Sequence, residues 1–256
     1  MDKISKVCGG GFVKIFLAGT DLLKAYPNEL VKSKYQLASF YSIQDWQLPF
    51  LNGCKEWLLD SGAFSFMNGK KTDNFDGYLE RYIEFINKNK VQYFFELDVD
   101  SIVGYGKVLE YRRRLEKGTS RQCIPVWHKT RGAKEWKNLC DEYSYVSIGG
   151  IVSKEILPEQ YSAFPIMISE AHKRGAKVHG LGFTSTSYFK DIRFDTVDST
   201  TWNVGGKFGN ICVFSPETLM KRRIQKKNMR CVKQKELMIH NYNEWIKFQK
   251  YAERNL

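Results

Sequence analysis

No uncharged apolar run in this 256-residue chain approaches the roughly 20 residues that a membrane span needs. The stretch Val13–Gly19 is short and carries Lys14, so no membrane partner is expected. The opening MDKISKVCGGGF has no apolar h-region, which argues against a secretory signal and for a cytoplasmic location. Cysteine is present but never closely spaced: Cys8, Cys54, Cys123, Cys140, Cys212 and Cys231 form no CxxC or CxC pair. That pattern reads as free buried thiols rather than a disulfide framework, and it excludes the paired ligands of a structural zinc site. Histidine is sparse at four residues. There is no internal repeat, no low-complexity segment and no linker long enough to divide the chain. Neither a metal nor another cofactor is expected.

Acidic residues are also in short supply. Lys and Arg number 40 against 28 Asp and Glu, a net charge of +12 with a pI near 9.3. An excess of this size points to a polyanion or to a generic basic surface. Residues 216–256 hold eleven Lys and Arg against four Asp and Glu, a net of +7. Within them Lys221–Lys235, KRRIQKKNMRCVKQK, has eight basic residues and no acidic one. With no Gly or Pro after Pro216, this region is expected to form one or two helices. Lys221, Arg222, Arg223, Lys226, Lys227 and Arg230 are the candidates for gripping a nucleic-acid backbone.

Hydrophobic residues at 43% and aromatics at 14% are enough for a substantial core. They fall into short apolar, β-branched and aromatic runs separated by amphipathic segments. Strands are predicted at Val13–Gly19, Tyr35–Tyr41, Glu56–Asp60, Gln92–Asp98, Ile124–His128, Tyr145–Gly149, Lys177–Gly182 and Asp195–Asp198. Helices are predicted at Phe75–Asn89, Val103–Lys117, Ala133–Tyr143, Pro158–Arg174 and Ser185–Asp191. Asn74 is placed to cap the first of these, and Gly175 to stop the fourth. Eight strands with helices between most of them is the count of a (β/α)8 TIM-type barrel. A doubly wound sheet is the alternative, because Thr20–Lys34 and Ser42–Lys55 are weak as helices. The expected organisation is a barrel over residues 1–215 and a basic helical extension over 216–256 that packs on it and contacts nucleic acid.

In such a barrel the site lies where strands end and βα-loops begin. The predicted strand ends carry Asp60, Asp98 with Asp100, His128, Gly149-Gly150, Gly182 and Asp198. A carboxylate at one strand end can simply cap the next helix; three together suggest chemistry. Clustered carboxylates can bind a divalent metal, act as an acid and base pair, or attack a sugar anomeric carbon.

Five segments then resemble, in order and spacing, the tRNA-guanine transglycosylase superfamily. WLLDSGAF (Trp57–Phe64) is similar to its TDSGG(F/Y)Q segment, and FELDVD (Phe95–Asp100) to the strand presenting its base-reading aspartate. SIGGI (Ser147–Ile151) resembles its Gly-Gly strand end, HGLGFT (His179–Thr184) its LMGVG strand, and FDTVDSTTW (Phe194–Trp202) the archaeal DLFDSASY. The resemblance spans about residues 57–202. It implies a TIM barrel in which Asp198 is the nucleophile on C1′ of a target nucleotide, with Asp195 as the rival register. It implies that Asp60 is the general acid/base and that Asp98, helped by Asp100, reads the base edge. Gly149 and Gly150 would offer backbone amides to the base. Trp127 and His128 would stand where bacterial members use a Gln-Gly pair, and Phe64 would stack on the ring.

Cys231 and His240 stand alone, without the C-x-C-x-x-C and His zinc site of family members that act on tRNA. The chain is therefore closer to the compact phage and bacterial 7-deazaguanine DNA transglycosylase-like proteins. The activity this implies is exchange of a base in DNA for a free guanine- or 7-deazaguanine-like base, the free nucleobase being a co-substrate. Hydrolytic excision that leaves an abasic site, in anti-phage defence for example, is the alternative. Action on tRNA, a catalytically inactive nucleic-acid-binding barrel and an unrelated metal-dependent hydrolase are the further ones.

Overall fold

A computed structural model describes residues 12–19, 33–67, 69, 74–203, 209–223 and 233–256. Cys8, Cys231, Lys226, Lys227 and Arg230 lie outside them. Eight parallel strands form one sheet: β1 Lys14–Ala18, β2 Tyr35–Ser39, β3 Glu56–Asp60, β4 Tyr93–Phe94, β5 Val126–Trp127, β6 Tyr145–Ile148, β7 Lys177–Gly180 and β8 Thr196–Ser199. Their spatial order is β4-β3-β2-β1-β8-β7-β6-β5. A parallel bridge between Phe95 and Ile124 joins the two edges, with Glu96 N–H donating to Ile124 O at 3.0 Å. The result is a (β/α)8 barrel with eight strands, as the sequence pattern predicts.

The two-residue period of a strand decides what faces inward. Along β1, Phe16 and Ala18 join the interior cluster, while Ile15 and Leu17 pack with helix residues outside. The same split separates Leu37 from Ala38, Leu58 from Leu59 and Val126 from Trp127. One further inward step brings Ser39, Asp60 and His128 to the open end of the barrel.

The outer layer follows the sequence with informative exceptions. Helix α1, Gln47–Asn52, occupies part of the weak segment after β2, and α2, Ala63–Met67, follows β3. Helix α3, Phe75–Lys88, is capped as predicted, with Asn74 Oδ1 accepting from Gly77 N–H at 2.8 Å. It buries Tyr78, Leu79, Tyr82 and Ile86, and the Tyr82 hydroxyl, with one proton to share, lies 3.1 and 3.0 Å from the carbonyls of Leu59 and Phe95. The helix predicted from Val103 is split into α4, Asp100–Val103, and α5, Tyr105–Thr119. Gly104 between them has φ +80°, which no helical residue adopts. Helix α6 is Gly132–Glu142. The predicted Pro158–Arg174 helix becomes a 3-10 turn, Pro158–Ala163, followed by α7, Phe164–Lys173. Pro165 accounts for the restart, since it has no N–H for the preceding turn. Ser185–Asp191 narrows to a 3-10 turn at Thr186–Tyr188.

The largest correction concerns the basic end. Residues 211–223 are not helical; they form an antiparallel hairpin of β9 Ile211–Ser215 and β10 Leu219–Arg223. Pro216 sits in its turn, where Ser215 Oγ accepts from Thr218 N–H at 3.3 Å, and a fixed φ suits it. Lys221, Arg222 and Arg223 therefore lie exposed on a strand, and the junction at residues 215 and 216 falls inside the hairpin turn. A C-terminal helix, Gln234–Asn255, packs on β1 and β9. Its Asn241 accepts from Cys212 N–H at 2.7 Å, and its Gln249 donates to the carbonyls of Ile15 and Tyr35 at 2.7 and 3.0 Å. No helix among the described residues is long and apolar enough to cross a membrane.

Candidate active site

A cavity of about 440 Å3 opens at the C-terminal end of the strands. Asp60, Asp98, His128 and Asp198 reach it from the ends of β3, β4, β5 and β8, beside Phe64, Gly150, Val152, Leu181 and Gly182. Strand parity explains Asp60 and His128, each at the inward position next above an apolar interior residue, Leu58 and Val126. Asp198 stands one inward step above Thr196, and Asp98 lies four residues beyond β4.

Asp60 Oδ2 accepts the Gly62 N–H at 2.9 Å. That turn needs glycine, because φ at residue 62 is +85° and a Cβ would lie 2.5 Å from Tyr41 Cβ. Burial pushes the Asp60 carboxyl up to about 7, with the charges of Asp98 and Asp198 adding to the effect and the Gly62 N–H opposing it. Asp60 is therefore shared between its acid and its base form near neutral pH, which is what proton transfer in both directions requires.

Asp98 is paired with His128, Oδ2 to Nε2 at 3.2 Å, and the other ring nitrogen meets Glu155 Oε2 at 3.0 Å. Burial works against a charged ring, but hydrogen bonds to the two carboxylates outweigh it and lift His128 to about 10. At neutral pH an imidazolium thus donates to both acids, and Glu155 is lowered in turn by its bond to His128. Both ring nitrogens are engaged, so His128 holds Asp98 rather than offering a free donor to a ligand. Glu155, fixed further by Thr130 N–H at 3.1 Å, is a residue that sequence reasoning missed.

Asp198 Oδ1 accepts from Gly182 N–H at 2.6 Å and lies 3.1 Å from His179 Nε2. Gly182 has φ +70°, and a Cβ there would come within 2.2 Å of Val152 Cγ2. The rival Asp195 is at the opposite end of the barrel, bonded to Val178 N–H at 2.7 Å and to His172 at 2.8 Å. Position 198 is the one that faces the cavity.

Three expected base contacts are corrected. Trp127 points outward: its ring packs on Trp136 and its N–H donates to Gly132 O at 2.9 Å. Adjacent strand residues cannot share a face, so Trp127 and His128 could not both enter the site. Gly149 donates its N–H to Trp127 O at 2.9 Å, and a Cβ there would lie 2.9 Å from His128 Cε1. Its glycine makes room for the histidine. Asp100 lies behind the cavity wall, held by Arg131 at 2.6 and 3.0 Å. Arg131 also joins Arg112 in neutralising the fully buried Glu96, at 2.8 and 2.6 Å respectively. Gly150 and the half-exposed Phe64 do line the cavity.

On the hairpin, Arg222 Nη2 is 3.4 Å from Thr201 Oγ1, a residue of the cavity wall. The basic strand thus runs past the mouth of the site. Among the described residues no group of His, Cys, Asp and Glu is arranged to hold a metal ion. No family model matches the chain, and no curated protein matches it.

Proposed function

We propose that this chain cleaves the N-glycosidic bond of a target base in DNA and exchanges that base for a free guanine- or 7-deazaguanine-like one. The observation that carries this reading is the convergence of Asp60, Asp98 and Asp198 on one cavity of nucleoside size, with Asp60 titrating near 7. The order of motifs shared with the transglycosylase superfamily supports the same assignment.

In the proposed reaction Asp198 Oδ2 attacks C1′ while the C1′–N bond breaks, and its electron pair goes to the base nitrogen. Asp60 gives that nitrogen a proton, while Asp98, held by His128, accepts from the base edge. The incoming base then loses its N–H proton to Asp60 as it forms a new C1′–N bond and releases Asp198. Water in place of the incoming base would leave an abasic site. The exposed Arg222 beside Thr201, with Lys221 and Arg223 exposed on either side of it along β10, suits a phosphate backbone entering the cavity. The choice of DNA over RNA rests on the resemblance to the DNA transglycosylases.

The test is to incubate duplex DNA, and tRNA as competitor, with and without free guanine or 7-deazaguanine, and to follow released bases and nucleosides by mass spectrometry. Base release that requires the added base supports exchange. Abasic sites formed without it would replace exchange by excision. Full activity in Asp198→Asn would overturn the nucleophile assignment, and turnover confined to tRNA would overturn DNA.

A further inference from the structure

Behind Asp198 a line of polar side chains crosses the apolar interior of the barrel. Tyr145 Oη lies 2.6 Å from Thr196 Oγ1, Thr196 Oγ1 lies 2.7 Å from His179 Nδ1, and His179 Nε2 lies 3.1 Å from Asp198 Oδ1. His179 is fully buried, with Phe95 and Phe16 edge-on to its ring at centroid distances of 5.1 and 6.3 Å. At the far end Tyr145 lines a second cavity at the N-terminal mouth of the barrel. A buried imidazole among phenylalanines is not needed for packing, since an aliphatic residue would fill that space without polar groups to satisfy.

We infer that His179 is a positioning residue for Asp198, held as the Nε2–H tautomer by the Tyr145–Thr196 hydroxyl pair. The inference rests on the nucleophilic role proposed for Asp198. Counting protons carries it. Thr196 has one hydroxyl proton and two partners, so one partner must donate to it. When Tyr145 donates to Thr196, Thr196 donates to His179 Nδ1, and the ring proton falls on Nε2, facing Asp198. Burial raises the Tyr145 phenol well above its ordinary range and keeps its proton available for this order. In the reverse order Nδ1 carries the proton, and the Nε2 lone pair faces a carboxylate oxygen unless a further proton is added.

The consequence is geometric. Gly182 N–H and His179 Nε2–H both bind Oδ1, which fixes the plane of the carboxylate and leaves Oδ2 as the atom for C1′. His179 touches no substrate in this scheme and acts wholly through Asp198.

Nitrogen-15 NMR of the histidine rings tests the tautomer without turnover; the chain has only four histidines, and His179→Gln identifies the signal to assign. A protonated Nε2 with a bare Nδ1 is expected for His179 at neutral pH. A protonated Nδ1 would overturn the inference. In DNA turnover, His179→Leu is expected to lower kcat about 100-fold with KM nearly unchanged, as for other residues that orient a reacting group. His179→Gln, whose amide can still donate to Oδ1, is expected to recover much of that loss. Thr196→Val is expected to lose activity at an unchanged KM while keeping the packing. Full kcat in His179→Leu, or equal loss in the Gln and Leu variants with both folded, would also overturn it. Failure of the nucleophilic reading is separable: it would show as full activity in Asp198→Asn, whatever the tautomer of His179.

Discussion

Burial holds the proton of Asp60 to about pH 7, with the neighbouring Asp98 and Asp198 adding to the effect. A carboxyl whose folded pKa stands above its unfolded value near 4 stabilises the fold only while protonated. The resulting cost grows as pH rises from about 4 and is complete above about 7. Asp60→Asn removes that cost. It is expected to unfold at higher urea than the parent at pH 8, by about 1–2 kcal/mol, and to match it at pH 4. The figure is below the full shift because cavity water reaches the carboxyl. The same variant should lose base release, separating stability from activity. His128 is also shifted upward, but there the favoured form is the charged one. Its folded pKa is raised to about 10, so its pairing with Asp98 and Glu155 stabilises fully below pH 6.5 and is lost as pH climbs through 10. His128→Gln is expected to be less stable at pH 6 by about 1–3 kcal/mol, with the gap closing towards pH 10. A gap that widens with pH in urea titrations would contradict the imidazolium.

Strand parity is the element-scale property that assembles the site, and most of it is legible in the chain. Each of the eight predicted strands overlaps an observed one, since parallel barrel strands buried on both faces read as short apolar runs. Asp60 two residues after inward Leu58, and His128 two after inward Val126, follow from the period alone. Trp127 fails the same rule. Other features depend on partners distant in sequence: Glu155 matters because it meets His128, and His179 because Asp198 is on the neighbouring strand. Neither pairing has a local signal. The hairpin at 211–223 was obscured by its own composition, because Lys and Arg suit an exposed helix as readily as an exposed strand. Gly182 shows how tightly a loop is tied to its strand. Gly182→Ala must move Val152, 2.2 Å from the new Cβ, and must abandon φ +70° or bear its strain. Either shift draws the 2.6 Å Gly182 N–H off Asp198. A loss of about 1–2 kcal/mol in stability is expected, with kcat falling at least tenfold. Unchanged kcat would mean that the amide does not orient Asp198.

For the molecule as a whole, the net charge of +12 is weighted towards one end of the sequence, and the fold brings part of that end to the site. Lys221, Arg222 and Arg223 follow one another on β10, all exposed, with Arg222 at Thr201 on the cavity wall. The hairpin that carries them is fixed to the C-terminal helix through Cys212 N–H to Asn241 and Phe214 N–H to Glu244 at 2.8 Å. In the proposed reaction a fixed basic strand beside an acidic cavity would separate two tasks: the strand would attract phosphates, and the carboxylates would be kept for a base and its sugar. Binding through phosphates releases condensed cations, so log Kd should vary linearly with log salt, each duplex contact contributing about 0.9 to the slope. Replacing Lys221, Arg222 and Arg223 together with Gln is expected to lower that slope by about 2 to 3 and to weaken binding of different duplex sequences alike. Replacing Arg113, Lys117 and Lys134, exposed on α5 and α6, together with Gln removes the same three charges and provides the comparison for a general change in net charge; it should reduce the slope by far less. An equal reduction in the two proteins would assign the effect to overall charge. An unchanged slope in the triple variant would remove β10 from the DNA path altogether.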